Sequence, residues 1–198
     1  GSRPNGWKSL GWAFVIIDDL GTIIAAARGV PPIWVDTIQG AELWAVNMAL
    51  QHATLPEILL TDCESVRLGA RQPASWGTSS KRRYARIWAV IHCQLEDADE
   101  TVHWMPAHTS KSSIGQIACS DGFTVSEQRW CANQLVDIWA KESADEIRVS
   151  KDDRRKLLAT EEQLQQLLVF LGQLTHQVNN YELPDGSKCR DSDAIRKK

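Results

Sequence analysis

A short unbroken apolar run, Ile58-Leu59-Leu60, follows Pro56 and ends in the polar pair Thr61-Asp62. Such a run reads as a strand buried on both faces, which requires a sheet covered on both sides, as in α/β proteins. Open α/β sheets place their chemistry beyond the carboxyl ends of their strands, where Asp62 stands. A carboxylate there is costly to keep without a cation or hydrogen-bond donors. A metal ion would answer that demand. The simpler assignment makes Asp62 the cap of a helix begun by Ser65-Val66-Arg67-Leu68, and Asp62 taken alone favours it.

Around this strand the chain alternates elements. Gly11-Trp12-Ala13-Phe14-Val15-Ile16-Ile17 and Thr22-Ile23-Ile24-Ala25-Ala26 flank Asp18-Asp19-Leu20-Gly21, the pattern of a β-hairpin with a solvated acidic turn. Pro31-Pro32 ends it. A helix is expected from Thr37, its cap, through Ala53, with Leu43, Val46, Leu50 and Ala53 on one face and Glu42 in the first turn. The helix dipole alone explains a glutamate there. In a parallel sheet, however, the start of this helix comes near the end of the Ile58 strand, within reach of Asp62.

Pro73 and Gly77 break residues 68–80, and a second helix is expected from Lys81 to Leu95 with a basic start that opposes its dipole. That conflict points to a task such as phosphate contact for Arg82, Arg83 and Arg86; a solvated basic turn is the equal alternative. Thr101 to Met105 reads as the last strand. His108 follows Pro106 in a loop at its carboxyl end. Residues 109–124 read as a flexible insert. Thr124 or Ser126 then caps a helix carrying Trp130, Asn133, Asp137, Ala140 and Lys141, with Asn133 and Asp137 on one face. Asp137, followed by Ile138-Trp139-Ala140, reads as an acid held near the core.

Charge and cysteine content narrow the function classes. The net charge of −3 makes any nucleic-acid surface a local patch, of which Lys81-Arg82-Arg83 with Arg86 is the best. Five cysteines without a Cys-x-x-Cys pair indicate neither a disulfide framework nor a zinc site, and a reducing compartment fits. With no membrane-length apolar run and no signal peptide, the expectation is an intracellular protein, nuclear or cytoplasmic.

Taken in order, Ala41-Glu42-Leu43, Thr61-Asp62-Cys63, Trp104-Met105-Pro106-Ala107-His108 and Asn133-Gln134-Leu135-Val136-Asp137 resemble the successive motifs of type 1 ribonuclease H domains. The resemblance covers about residues 1–144 and is nearest in style to the domains of eukaryotic retroelements. It implies a mixed five-stranded sheet flanked by helices, cutting the RNA strand of an RNA–DNA hybrid with two Mg2+ or Mn2+ ions. Four carboxylates hold the metals in that family; Glu42, Asp62 and Asp137 match three of them. His108 matches a mobile histidine that aids product release or relays protons. Gln39 and Glu64 fall where such domains contact hybrids, although Glu64 is an acid where an amide is usual. A reverse transcriptase or another polyprotein domain is an implied partner.

The family's first catalytic aspartate ends a strand in the middle of the sheet and is followed by Gly-Ser, where this chain opens Gly1-Ser2. The expectation is therefore a fragment lacking that strand and ligand, with little nuclease activity of its own. A cloning scar is the other origin of Gly1-Ser2.

Domain organisation is expected as residues 1–145 for the ribonuclease H-like part, 146–180 for an amphipathic helix and 181–198 for a disordered tail. Leu157, Leu164, Leu171 and Val178 recur every seven residues, with Leu167 and Leu174 in the companion row that Thr160 breaks. This is coiled-coil spacing over about three heptads. Docking on its own domain, docking on another part of a parent polyprotein, and self-association all remain open. For function, the alternative to a hybrid nuclease is an inactive module of the same fold that binds nucleic acid or a partner. A different nuclease or integrase of that fold fits the His108 motif less well.

Overall fold

A computed structural model describes residues 9–52, 58–95 and 98–188. The elements run β1 (Trp12–Ile17), β2 (Ile23–Gly29), α1 (Ile38–His52), β3 (Leu59–Thr61), α2 (Glu64–Ala70), α3 (Ala74–Gly77), α4 (Ala85–Gln94), α5 (Ala98–Thr101), β4 (Val102–Trp104), α6 (Glu127–Glu146) and α7 (Lys151–Asn180). The chain is thus mixed α/β. It divides into two compact units, residues 1–148 and 149–198.

The hairpin forms as its sequence dictates. β1 and β2 pair antiparallel, Trp12 opposite Gly29 through Ile17 opposite Ile23, with an irregularity between Ile16 and Ile17. Asp18 Oδ1 accepts from the amides of Leu20 and Thr22, and Gly21 takes φ 82°, so Asp18 is spent on the turn. β3 pairs in parallel with β4, Leu59 opposite Val102 and Thr61 opposite Trp104.

Among the described residues the expected single five-stranded sheet is not formed: the four strands make two separate two-stranded sheets. Among the described residues no ladder joins the two pairs, and helices pack against them instead. α1 packs on β1, α2 and α4, while α6 packs on β1 and β2. The main core collects Leu43, Val46 and Leu50 of α1 with Leu59, Ile91 and Val102, the last two fully shielded from solvent. Burial of these apolar faces is the main force holding α1 and α4 against the β3–β4 pair.

Several element boundaries differ from expectation. Thr37 caps α1, its Oγ1 accepting from the Gly40 amide at 3.0 Å, but Glu42 lies past the first turn. Ala53 and Glu57 fall outside the described residues. Leu59 is buried, whereas Ile58 is 46 % exposed, so the apolar run is covered only in part. α4 begins at Ala85, leaving Lys81, Arg82 and Arg83 in the preceding turn rather than inside a helix. The 109–124 stretch is anchored rather than loose. A bridge joins Ala118 to Thr124, Cys119 and Val125 pack under Met105, and Asp121 pairs with Arg129 at 2.7 Å. Ser126, one of the two expected caps, accepts from the Arg129 amide at the start of α6.

The second unit holds α7, capped by Ser150 and followed by a turn in which Glu182 bridges Lys188. The rest of the expected tail, residues 189–198, falls outside the described residues.

Candidate active site

Three carboxylates reach one region from three elements. Glu42 projects from α1, Asp62 follows the last residue of β3, and Asp137 stands midway along α6. Each is partly exposed. Burial pushes the Glu42 carboxyl up to about 7, and the charges of Asp62 and Asp137 push it the same way. Asp62 is raised too, by burial first and by Asp137 second, with His108 offsetting part of the rise. Mutual repulsion of this kind requires the three groups to be near neighbours. Glu42, Asp62 and Asp137 are thus close enough to couple electrostatically, and His108 stands beside Asp137.

Local geometry explains how each is held. α2 begins after Cys63, which makes no side-chain capping bond, so the Asp62 carboxylate is not spent as the helix cap. Trp104 Nε1 donates to the Asp62 carbonyl at 3.2 Å, and the Met105 amide donates to the Thr61 carbonyl at 3.0 Å, fixing the end of β3 against β4. His108 takes φ 49°, the left-handed region that few non-glycine residues occupy, and its side chain is 73 % exposed. Its Nδ1 lies 3.4 Å from Asp137 Oδ2. Strained backbone of this kind is tolerated where the surroundings enforce it and concentrates at working sites.

Lys141 was not singled out by sequence as part of this site, yet its Nζ donates to Asp137 Oδ2 at 2.9 Å. The signal was available: four residues separate the two on one helix face. Asp137 is thus held by one cation and one histidine in the structure. Among the described residues no three His, Cys, Asp or Glu side chains are gathered as a ready-made metal cage. The donor set itself is all carboxylate oxygen, the chemistry that suits Mg2+ or Mn2+, and its crowding is the charge pattern a divalent cation relieves.

The expected nucleic-acid residues are distributed over α1, α2 and the turn before α4. Gln39 is exposed on the first turn of α1. Arg83 pairs with Asp36, whose carboxyl is held below its usual range first by the hydrogen bond from Tyr84. Tyr84 also bonds Thr37 at 2.8 Å, so Arg83 and Tyr84 brace the turn that starts α1. Arg82 stacks over Trp76, 3.7 Å from the ring centroid. Glu64 is exposed and pairs with Arg67. Comparison of the chain with family models, curated proteins and solved structures finds no match. None of the helices in the described residues is long and apolar enough to cross a membrane.

Proposed function

We propose that this chain carries a ribonuclease H-like nuclease site that hydrolyses the RNA strand of RNA–DNA hybrids. The observation that carries the reading is the convergence of Glu42, Asp62 and Asp137, from three separate elements, into one electrostatically coupled group beside His108. The two strand pairs support it as well. Their directions are mixed, one pair antiparallel and the other parallel, as a mixed sheet requires.

On this reading Glu42, Asp62 and Asp137 hold divalent cations, Mg2+ or Mn2+, which supply activation of water and stabilisation of the departing 3′ oxygen. The chain's own groups do the rest. Asp62 is presented rigidly by the Trp104 and Met105 bonds, and Lys141 keeps Asp137 paired until a stronger cation competes for it. His108, exposed on its left-handed turn, can hold or release a proton at Nδ1 beside Asp137. Gln39, Arg82 and Arg83 are candidate hybrid contacts, with phosphate the chemical target of the arginines and the 2′-hydroxyl the feature that marks RNA.

A second reading has its own support. The Lys141–Asp137 ion pair and the lack of a ready-made cage among the described residues favour an inactive module of the same kind, binding nucleic acid or a partner. The deciding experiment is Mg2+-dependent cleavage of a labelled RNA–DNA hybrid. It is run with this chain and with a version extended upstream by the strand and aspartate that the resemblance calls for, each beside Asp62→Asn. Cleavage that disappears in Asp62→Asn establishes the nuclease. A folded, extended chain that leaves the hybrid intact establishes the binding module.

Lys141 gives a separate expectation. Its side chain is 68 % exposed, so the ion pair with Asp137 is weak and its removal acts modestly. Lys141→Ala should tighten Mn2+ binding about two- to fivefold, the scale of an exposed pair, as read by titration calorimetry. Unchanged or weaker binding would show that Lys141 does not compete for the site.

A further inference from the structure

α7 is 30 residues long, about 45 Å at the usual helical rise, and it presents an uncovered apolar stripe. Leu157, Leu164, Leu171 and Val178 form one row and Leu167 and Leu174 its companion, every one between 44 and 56 % exposed. Leu168 and Phe170 flank the rows and widen the stripe, at 60 and 58 % exposed. Among the described residues of the second unit nothing covers it. Contiguous apolar surface of this extent marks an interaction site.

Charge decides what fits the stripe. In the heptad frame set by Leu157, Lys156 takes the position before the first row and Glu161 the position four after it. They stand five residues apart, the spacing at which neighbouring parallel helices bring opposite charges together. Among the described residues neither has an ion-pair partner in its own chain. Of the remaining flanking positions only Arg154 is charged; Gln163, Leu168, Phe170, Thr175 and Gln177 carry no charge that would repel a like helix. The segment from Lys151 to Glu162 contains four basic and four acidic residues, so two copies side by side meet no net repulsion. An antiparallel arrangement would instead set this charged half against the uncharged half from Gln163 to Asn180, leaving Lys156 and Glu161 without opposites.

We propose that α7 pairs in parallel with α7 of a second copy of this chain, joining two copies through the Leu157–Val178 stripe. Gly172 adds to the case for a partner. A helix-interior glycine with open space around it weakens an isolated helix, which association then stabilises.

Sedimentation velocity on the full chain up to about 100 µM tests the proposal, a range wide enough to reveal even weak pairing. The expected result is a two-chain mass that L164E/L171E reduces to one, with affinity down at least about a hundredfold. K156E should weaken pairing about threefold or more, and K156E/E161K should restore it, because only the parallel arrangement sets these two positions opposite each other. All nine tryptophans lie outside α7, so unchanged tryptophan fluorescence certifies that the first unit is intact in each variant. Three results would overturn the proposal: a single-chain mass throughout, an assembly insensitive to L164E/L171E, or a charge swap that fails to restore pairing. A single-chain mass with α7 protected from deuterium exchange would assign the stripe to another part of the same chain.

Discussion

Glu42→Gln is expected to stabilise the protein at pH 8 by about 2 kcal/mol while leaving it nearly unchanged at pH 4. The reason lies in where the carboxyl sits. Its folded-state pKa of about 7 stands above the ordinary 4.5, first because burial penalises the charge and then because Asp62 and Asp137 repel it. Below 4.5 the group is protonated in both states and costs nothing. Between 4.5 and about 7 the unfolded chain gives up the proton while the native one keeps it, so stability falls as pH rises. Above about 7 the loss is complete. At about 1.4 kcal/mol per pK unit the full effect is on the order of 3 kcal/mol, reduced in the variant because the amide still has to find hydrogen-bond partners. Asp62 contributes in the same direction from its ordinary value of 3.8. Urea unfolding of both proteins across pH 4 to 9 reads the effect; parallel curves would mean that Glu42 is well solvated and uncoupled from the other carboxylates.

Gly11→Ala should destabilise the fold by about 3 kcal/mol, the upper end for overpacking, because the clash is with backbone rather than with a flexible side chain. A Cβ on Gly11 would lie 1.9 Å from the Ala140 carbonyl oxygen and 2.8 Å from the Ala144 amide nitrogen. The chain entering β1 runs against α6 at this point, and neither side can yield without moving β1 off the helix. Denaturant unfolding measures it, and a loss under about 1 kcal/mol would show that this approach can relax.

Residues with strong local chemistry were legible in sequence. The hairpin followed from its β-branched runs and acidic turn, and the caps at Thr37 and Ser126 from hydroxyls placed just ahead of helical periodicity. Glu42, Asp62, Asp137 and His108 were grouped in sequence by the resemblance of four successive motifs, and the structure couples the three acids and sets His108 Nδ1 3.4 Å from Asp137. What depended on long-range packing was harder to read. The basic residues 81–83 sit in a turn because Arg83 and Tyr84 are engaged with Asp36, 47 and 48 residues away in the chain. The 109–124 stretch looked loose because its anchor, Asp121 with Arg129, joins an irregular segment to a helix with no periodic signal. The number of strands in one sheet is equally a property of pairing partners, which hydrophobic pattern alone does not specify.

The separation of the strands into two pairs has a mechanical consequence for the carboxylates. Asp62 travels with the β3–β4 pair, whereas Asp137 rides on α6, which is seated on β1 and β2. Glu42 belongs to α1, which packs on β1 and shares a core with Leu59 and Val102 of the other pair. Among the described residues no hydrogen-bond ladder spans the pairs, so side-chain packing against α1 relates one to the other. Asp62 and Asp137 therefore sit on two separately packed parts of the first unit, and α1, which carries Glu42, packs between them.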